Sequence, residues 1–240
     1  MKEGRKGKLY GIGVGPGDPE LMTLRAVKLI EKSGVIAYPV SKRGEEGTAL
    51  EIVKGAADIS GKKIVELLFS MNPDDNVRKK CRADAIGELI SILDSGTDVA
   101  MITLGDVAVY STYMYLDKKI REAGFETEVV PGIPSFCSGA ASARLPLMIG
   151  NESLAVISMA KNNDEIGKAL SFSDNVVAMK ARNSMDKILD AMESEGLGAE
   201  NATVVSNVGM DGEYIGPIDR ERKYGYFTTV IIKKKAGDGE

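Results

Sequence analysis

Short apolar runs alternate with amphipathic stretches through the first half of the chain. Residues Leu9 to Val14 read as a buried strand that ends in glycines. Pro19 to Ser33 predicts a helix: Asp18 can cap it, Pro19 suits its first turn, and Leu21, Leu24, Val27 and Ile30 follow helical spacing. A strand over Val35 to Val40, a short helix over Thr48 to Ala57 and a strand over Lys63 to Leu67 follow. Asp74 to Asp94 predicts a long helix with Ile86, Leu89, Ile90 and Leu93 on one face. Asp98 to Leu104 is apolar on both sides, the pattern of a central strand. A helix over Ser111 to Ala123 and a strand over Phe125 to Val130 complete the series. Strands alternating with helices predict a parallel or mostly parallel sheet covered by helices.

Proline and glycine interrupt the patterns within Arg144 to Gly150. The predicted division falls there, giving an N-terminal α/β domain over 1–146 and a C-terminal α/β domain over 147–240. The second half reads as strand Leu154 to Ser158, helix Asp164 to Leu170, strand Asn175 to Met179, helix Ser184 to Glu193 and strand Thr203 to Val208. Glu213 to Ile215 and Tyr226 to Ile232 flank a charged turn, which suggests a hairpin of antiparallel edge strands in a mixed sheet. Lys233 to Lys235 and the tail behind them are expected to fray.

Composition narrows the chemistry. The 240 residues include no histidine, so a Ser-His-Asp triad, a Cys-His dyad, an HExxH zinc site and a histidine base are all excluded. Two isolated cysteines, Cys81 and Cys137, build neither a disulfide framework nor a structural zinc site. No protein metal site is expected. Lys and Arg number 31 against 35 Asp and Glu, a balance without the basic footprint of general nucleic-acid binding. No apolar run is long enough to span a bilayer, and no apolar segment follows the charged first residues, so neither a membrane span nor a signal peptide is expected. A cytoplasmic protein is the expectation.

The densest local signal is Gly11-Ile12-Gly13-Val14-Gly15-Pro16-Gly17-Asp18-Pro19, at the end of a strand. It is not a dinucleotide fingerprint. Counted from Gly11, Pro16 stands where the last glycine belongs; counted from Gly13, Asp18 does. A phosphate-binding P-loop fails as well, because Gly55 and Gly61-Lys62 are wrongly spaced and Lys63 replaces the hydroxyl residue. Two readings stay open: a tight strand-to-helix turn, or a bare backbone that a large ligand approaches.

Other strand ends carry polar chemistry. Leu104-Gly105-Asp106-Val107 closes the expected central strand, where ligands bind in open α/β sheets. Asp106 there is either functional or a helix cap ahead of Ser111. The turn Val130-Pro131-Gly132-Ile133-Pro134-Ser135 enters a helix, and its amides suit a carboxylate, though an ordinary turn would look the same. Val177-Ala178-Met179-Lys180-Ala181-Arg182 and Ser206-Asn207-Val208-Gly209 end two later strands. Met179 is either core or a ligand contact.

Taken together, these motifs resemble the tetrapyrrole methyltransferases of cobalamin and sirohaem biosynthesis. The carriers are Tyr10 to Leu21 with Thr23-Leu24-Arg25-Ala26 behind, then Thr103-Leu104-Gly105-Asp106, Val130-Pro131-Gly132-Ile133 and Leu145-Pro146-Leu147 in the same order. Tyr110-Ser111-Thr112, Val177 to Lys180 and Tyr226-Phe227-Thr228-Thr229-Val230 are most similar to the branch acting at C-20 of the macrocycle. The resemblance implies a two-domain α/β tetrapyrrole methylase fold with a cleft between the domains, a homodimer, S-adenosylmethionine as methyl donor and a tetrapyrrole substrate. It implies cofactor contacts at Leu104, Gly105, Asp106, Val109, Pro134, Ser135, Met179 and Val208, with Thr228 a weaker candidate and Pro16 bordering both ligands. Two positions depart from the family pattern: Val107 stands where proline usually follows Gly-Asp, and Pro134 replaces a serine or threonine.

The implied reaction is an in-line displacement in which a ring carbon takes the sulfonium methyl. The protein mainly positions and desolvates, which suits a chain without histidine. Asp106 is the candidate carboxylate near the loss of the C-20 proton, with cofactor positioning as its rival role. Arg25, Arg144, Lys180 and Arg182 are candidates for the tetrapyrrole carboxylates. The alternatives are methylation at another ring position, or a binding module of the same fold without turnover.

Overall fold

The computed structural model describes residues 5–45, 47–159 and 165–235. The chain forms two compact units, Met1–Pro134 and Ser135–Glu240.

The first unit contains β1 (Leu9–Gly13), α1 (Leu24–Lys32), β2 (Val35–Val40), α2 (Thr48–Ala56), β3 (Lys63–Leu68), α3 (Asp75–Asp94), β4 (Val99–Thr103), α4 (Met114–Glu122) and β5 (Thr127–Val130). Its five strands run in the order β3-β2-β4-β1-β5, and every pair is parallel. The central β4 is buried at each residue, as its two-sided apolar pattern predicts. Two cores cover the two faces. Ala26, Ile30, Leu50 and Val53 of α1 and α2 pack with Tyr10 and Ile12, while Leu89, Leu93, Leu116 and Ile120 of α3 and α4 pack with Leu9 and Met101. Alternating side-chain direction in β1 supplies both.

One expected element divides. Pro19 to Ser33 is not a single helix: Pro19–Leu21 forms a 3-10 turn, with the Asp18 carboxylate accepting from the Glu20 amide at 2.8 Å. Thr23 then restarts the chain as α1, its hydroxyl accepting from the Ala26 amide at 3.1 Å. The restart shifts the helical register, so Leu24 is 78% exposed while Ala26 and Ile30 face the core.

The second unit contains α5 (Ser135–Ser142), β6 (Leu154–Ser158), α6 (Glu165–Phe172), β7 (Asn175–Met179), α7 (Met185–Ser194), β8 (Ala202–Ser206), β9 (Tyr214–Pro217) and β10 (Thr228–Lys233). Asp164, the expected start of α6, lies outside the described residues. The sheet order is β6-β7-β10-β8-β9, with β6 parallel to β7 and the other pairs antiparallel. The unit begins ahead of the expected 146/147 division because α5 packs on β8: a Cβ on Gly139 would lie 2.5 Å from Val205.

The expected terminal hairpin is corrected. β9 pairs with β8, and β10 inserts between β7 and β8 as the central strand, buried at every residue. Its apolar residues, Val230 to Ile232, face both sides of the sheet, which only a central position can bury. Lys233 does not fray either. It is the last residue of β10, and its ammonium donates to the Pro146 carbonyl and Asn175 Oδ1, each at 2.9 Å, and to Glu152 at 3.4 Å. Residues 236–240 of the tail lie outside the described residues.

Candidate functional site

Parallel strands deliver their exits to one end of the sheet. In the first unit the loops after β1, β4 and β5 meet there. Gly15 and Gly105 form an antiparallel bridge, Gly105 N donating to Gly15 O at 2.7 Å and Gly15 N to Gly105 O at 3.2 Å. Both residues have positive φ, 82° and 70°, a region that suits glycine. A Cβ on Gly13 would lie 2.6 Å from Gly105 O and 2.7 Å from Gly132 N; one on Gly132 would lie 2.2 Å from Gly105 O. The bare backbone of the glycine segment therefore admits the chain's own neighbouring loops. That is the close approach these glycines serve in this structure.

Asp106 completes the junction. Its Oδ1 accepts from the Ala108 amide at 2.8 Å and its Oδ2 from the Gly132 amide at 2.9 Å. The carboxylate thus ties the β4 loop to the β5 loop, and it is not the cap of α4, which begins after Tyr113. The amide-bearing turn at 131–133 does meet a carboxylate, as its pattern suggests, but at Gly132 the carboxylate is Asp106 itself. Val107, at the position that departs from the family pattern, is fully buried in the core on the α3 and α4 face.

Beneath this junction Ser111 accepts from the Tyr113 amide at 3.2 Å and donates to Thr103 at 3.3 Å. The Tyr113 ring fills the space beside Gly11, where a Cβ would lie 2.3 Å from it. Burial, and after it the Asp117 carboxylate 3.2 Å from the hydroxyl, holds the phenol far above its ordinary range. It is a neutral, fixed support for the loop. Around the junction Pro16 is buried, while Leu104 and Val109 are half-buried. Pro134 closes the first unit and Ser135 opens α5, both half-buried.

In the second unit the ends of β7 and β8 and the start of β10 share one sheet edge. Thr229 pairs with Met179, and Thr228 with Ser206. Met179 is half-buried and Val208 buried. Thr228, 1% exposed, donates its only hydroxyl proton to Gly225 O at 2.7 Å. Ser206, 2.9 Å away, must therefore donate to Thr228, and the Gly225 amide donates to Ser206 at 3.1 Å. The three groups form a closed ring, a feature the linear sequence does not display because Ser206 and Gly225 are brought together only by strand pairing. Two residues at this edge, Lys180 and Asn207, hold positive φ of 59° and 52°.

The structure thus gathers Pro16, Leu104, Gly105 and Asp106 at one junction, with Val109 just beyond, and gathers Met179, Val208 and Thr228 at another edge. Of the candidate cations, Arg25 bonds Glu128, while Arg144 and Arg182 are exposed. Among the described residues, no group of three or more Cys, Asp and Glu is arranged to hold a metal ion, and no helix is long and apolar enough to cross a membrane.

The family model described as Tetrapyrrole (Corrin/Porphyrin) Methylases matches residues 8–220. The chain belongs to this tetrapyrrole methylase family. A relative from Methanocaldococcus jannaschii, named probable cobalt-precorrin-2 C(20)-methyltransferase, is 39% identical over 75% of each chain. The cobalt-precorrin-2 C(20)-methyltransferase of Salmonella typhimurium is 32% identical over 95% of this chain and 97% of its own. Among solved structures, the cobalt precorrin-4 methyltransferase CbiF aligns with a TM-score of 0.73 over 94% of each chain at 18% identity. The methyltransferase CobJ aligns at 0.71 and 16% identity, over 96% of this chain and 97% of its own. These likenesses establish the tetrapyrrole methylase fold that the motifs imply.

Proposed function

We propose that this chain transfers a methyl group from S-adenosylmethionine to C-20 of precorrin-2 or cobalt-factor II, a step of cobalamin biosynthesis. The observation that carries this reading is the agreement of relatives named for the same ring position, one of them matching 95% of the chain. The reading includes a cytoplasmic location and, as the family resemblance implies, a homodimer.

The chemistry of the candidate residues suits the donor. Leu104, Val109 and Met179 keep apolar surface half-open at strand ends, where an adenosyl group can cover it. The bound donor supplies a sulfonium methyl that needs no covalent activation by the protein. The protein's part is to hold the acceptor carbon in line and exclude water. We assign Leu104, Gly105, Asp106, Val109, Pro134, Ser135, Met179 and Val208 to cofactor contact, with Pro16 bordering both ligands. At 134 the contact can use backbone but no hydroxyl. Thr228 serves by fixing its edge, since its hydroxyl proton is committed to Gly225. Both oxygens of Asp106 accept backbone amides, which favours positioning over proton removal.

The test is anaerobic incubation with S-adenosylmethionine and precorrin-2, with and without inserted cobalt. The mass and NMR spectrum of the tetrapyrrole are the readout. One methyl added at C-20 is expected, and the productive incubation identifies the metallation state of the substrate. A methyl at another ring position, or cofactor binding without transfer, overturns the assignment.

A further inference from the structure

The second unit carries an aromatic pair that the site described above does not use. Tyr226 is 61% exposed and Phe227 36% exposed, and their rings meet edge to face with centroids 5.0 Å apart. They immediately precede Thr228, so they stand at the same sheet edge as Met179 and Val208.

Their backbone is held from both sides. The Gly225 amide donates to Ser206, the Phe227 carbonyl accepts from Asn207 at 3.0 Å, and the Thr228 carbonyl accepts from Ala181 at 2.9 Å. The rings are thus exposed on a fixed support and not on a free loop. The ring surface left in water forgoes the free energy of burial, which a bound apolar surface recovers. The two flanking loops add positive-φ backbone at Lys180 and Asn207, a strain that clusters at ligand sites.

Charge selects the occupant. The exposed Arg182 follows Ala181 on the β7 loop, next to the exposed Lys180. Asp211 and Glu213 lie on the β8–β9 turn, and the Glu213 carboxylate is engaged by the Gly209 amide at 2.7 Å. The methyl donor carries one carboxylate beside two cationic groups, whereas a guanidinium favours a ligand with several carboxylates, one of which Arg can grip with two parallel hydrogen bonds. A ligand with a conjugated ring surface and peripheral carboxylates matches both features.

We infer that Tyr226, Phe227 and Arg182 form a substrate-recognition edge: one ring of the perpendicular aromatic pair stacks on a face of the tetrapyrrole, the other braces it edge-on, and Arg182 pairs one of the tetrapyrrole carboxylates. This rests on the proposed tetrapyrrole substrate and names residues that select it. The three residues bind and orient; they take no part in methyl or proton transfer.

The experiment measures binding of cobalt-factor II to the full chain, anaerobically and with S-adenosylhomocysteine present, alongside the Kd of S-adenosylmethionine alone. The variants are Tyr226→Leu with Phe227→Leu, Arg182→Gln and Arg182→Lys, and melting curves verify folding. The double leucine variant is expected to weaken cobalt-factor II binding about tenfold, while donor Kd moves less than about twofold. Arg182→Gln is expected to weaken it about fivefold, with partial rescue by lysine. Single-ring variants Tyr226→Phe and Phe227→Tyr keep both aromatic rings and are expected to bind like the parent. Unchanged tetrapyrrole binding in the leucine variant overturns the inference, as does a loss confined to the donor. A change in oligomeric state with unchanged tetrapyrrole affinity in the assembled form assigns the pair to a subunit contact and overturns it too. If the variants behave as expected while the methyl is found elsewhere than C-20, the C-20 assignment falls and this edge stands.

Discussion

The two units close their sheet ends by different physical means. In the first, β1, β4 and β5 are parallel, so three chains leave the sheet at one end and crowd together. Only glycine permits the backbone-to-backbone approach of Gly13, Gly105 and Gly132, and the carboxylate of Asp106 secures it. In the second, β10 runs antiparallel between β7 and β8, entering where its neighbours leave. The crowding is relieved, and side chains do the closing: the hydroxyls of Ser206 and Thr228 around Gly225. A parallel end is therefore intolerant of added volume, whereas a mixed end is sensitive to lost polarity.

Alanine scanning of the glycines breaks this comparison most severely. Gly132→Ala puts its Cβ 2.2 Å from a backbone oxygen that is itself hydrogen-bonded to Gly15. A loss of about 3 kcal/mol or more is expected, read as a lower urea midpoint, together with loss of donor binding. The three atoms nearest a Cβ at Gly225→Ala all belong to the Asn207 side chain, the closest at 2.4 Å, and a side chain can turn away. The cost of Gly225→Ala is expected to be about 1 kcal/mol. Equal losses at the two positions would refute the distinction.

Asp106 separates positioning from chemistry. Asp106→Ala leaves the Ala108 and Gly132 amides without their acceptor, at a cost of about 2 kcal/mol, while Asn retains one oxygen acceptor and should lose about half as much. If the residue positions the loop, Asp106→Asn raises the Kd of the donor several-fold and leaves kcat within about tenfold of the parent, with an unchanged pH profile. A kcat loss of about a thousandfold with unaltered donor binding would instead identify it as the proton acceptor.

The same contrast explains what the sequence discloses. Every strand of the first unit is legible from its apolar run, because a parallel sheet buried on both faces needs little beyond hydrophobicity. The Gly11 to Pro19 segment announces a crowded turn, but not that its neighbours are Gly105 and Gly132, which lie some ninety and one hundred and twenty residues later in the chain. The split at Met22 escapes the helical pattern because Thr23 restarts the helix through a local cap. The place of β10 escapes altogether: a charged turn between two strands signals a hairpin, and nothing local tells β10 to pair with β7 instead of β9. Strand pairing also creates the Ser206–Thr228–Gly225 ring, so that part of the site has no linear motif.

That ring gives a smaller effect. Thr228→Val keeps the shape but removes the donor to Gly225 and the acceptor for Ser206, with an expected cost of about 1–2 kcal/mol. Thr228→Ser keeps the ring and loses only a methyl group, so it should be the milder change. Donor affinity should stay within about threefold in both variants if Thr228 acts by fixing its edge. A larger fall in Thr228→Val alone would place the hydroxyl in contact with the cofactor.

Two carboxylates carry the comparison to its finest scale. Glu128 on β5 is held below its ordinary pKa by hydrogen bonds from Arg25 and then Lys8, so its partners are charged. Glu152, just ahead of β6, is held low first by the Asn175 amide and then by the Ile149 backbone N–H, with Lys233 contributing less. Both folded-state values lie below the usual 4.5, so each contribution to stability is present above that pH and is lost as pH falls through the folded value. Salt separates them, because about 1 M NaCl shortens the screening length to about 3 Å and weakens charged partners more than neutral ones. Carboxyl NMR titrations at about 0.05 and about 1 M NaCl should show Glu128 rising toward 4.5 while Glu152 moves less. Arg25→Gln should reproduce the effect of salt on Glu128, and Asn175→Leu should raise Glu152 at both salt concentrations. Equal salt shifts of the two groups would show that charge, and not the neutral amide, holds Glu152 down, and would remove this part of the contrast between the units.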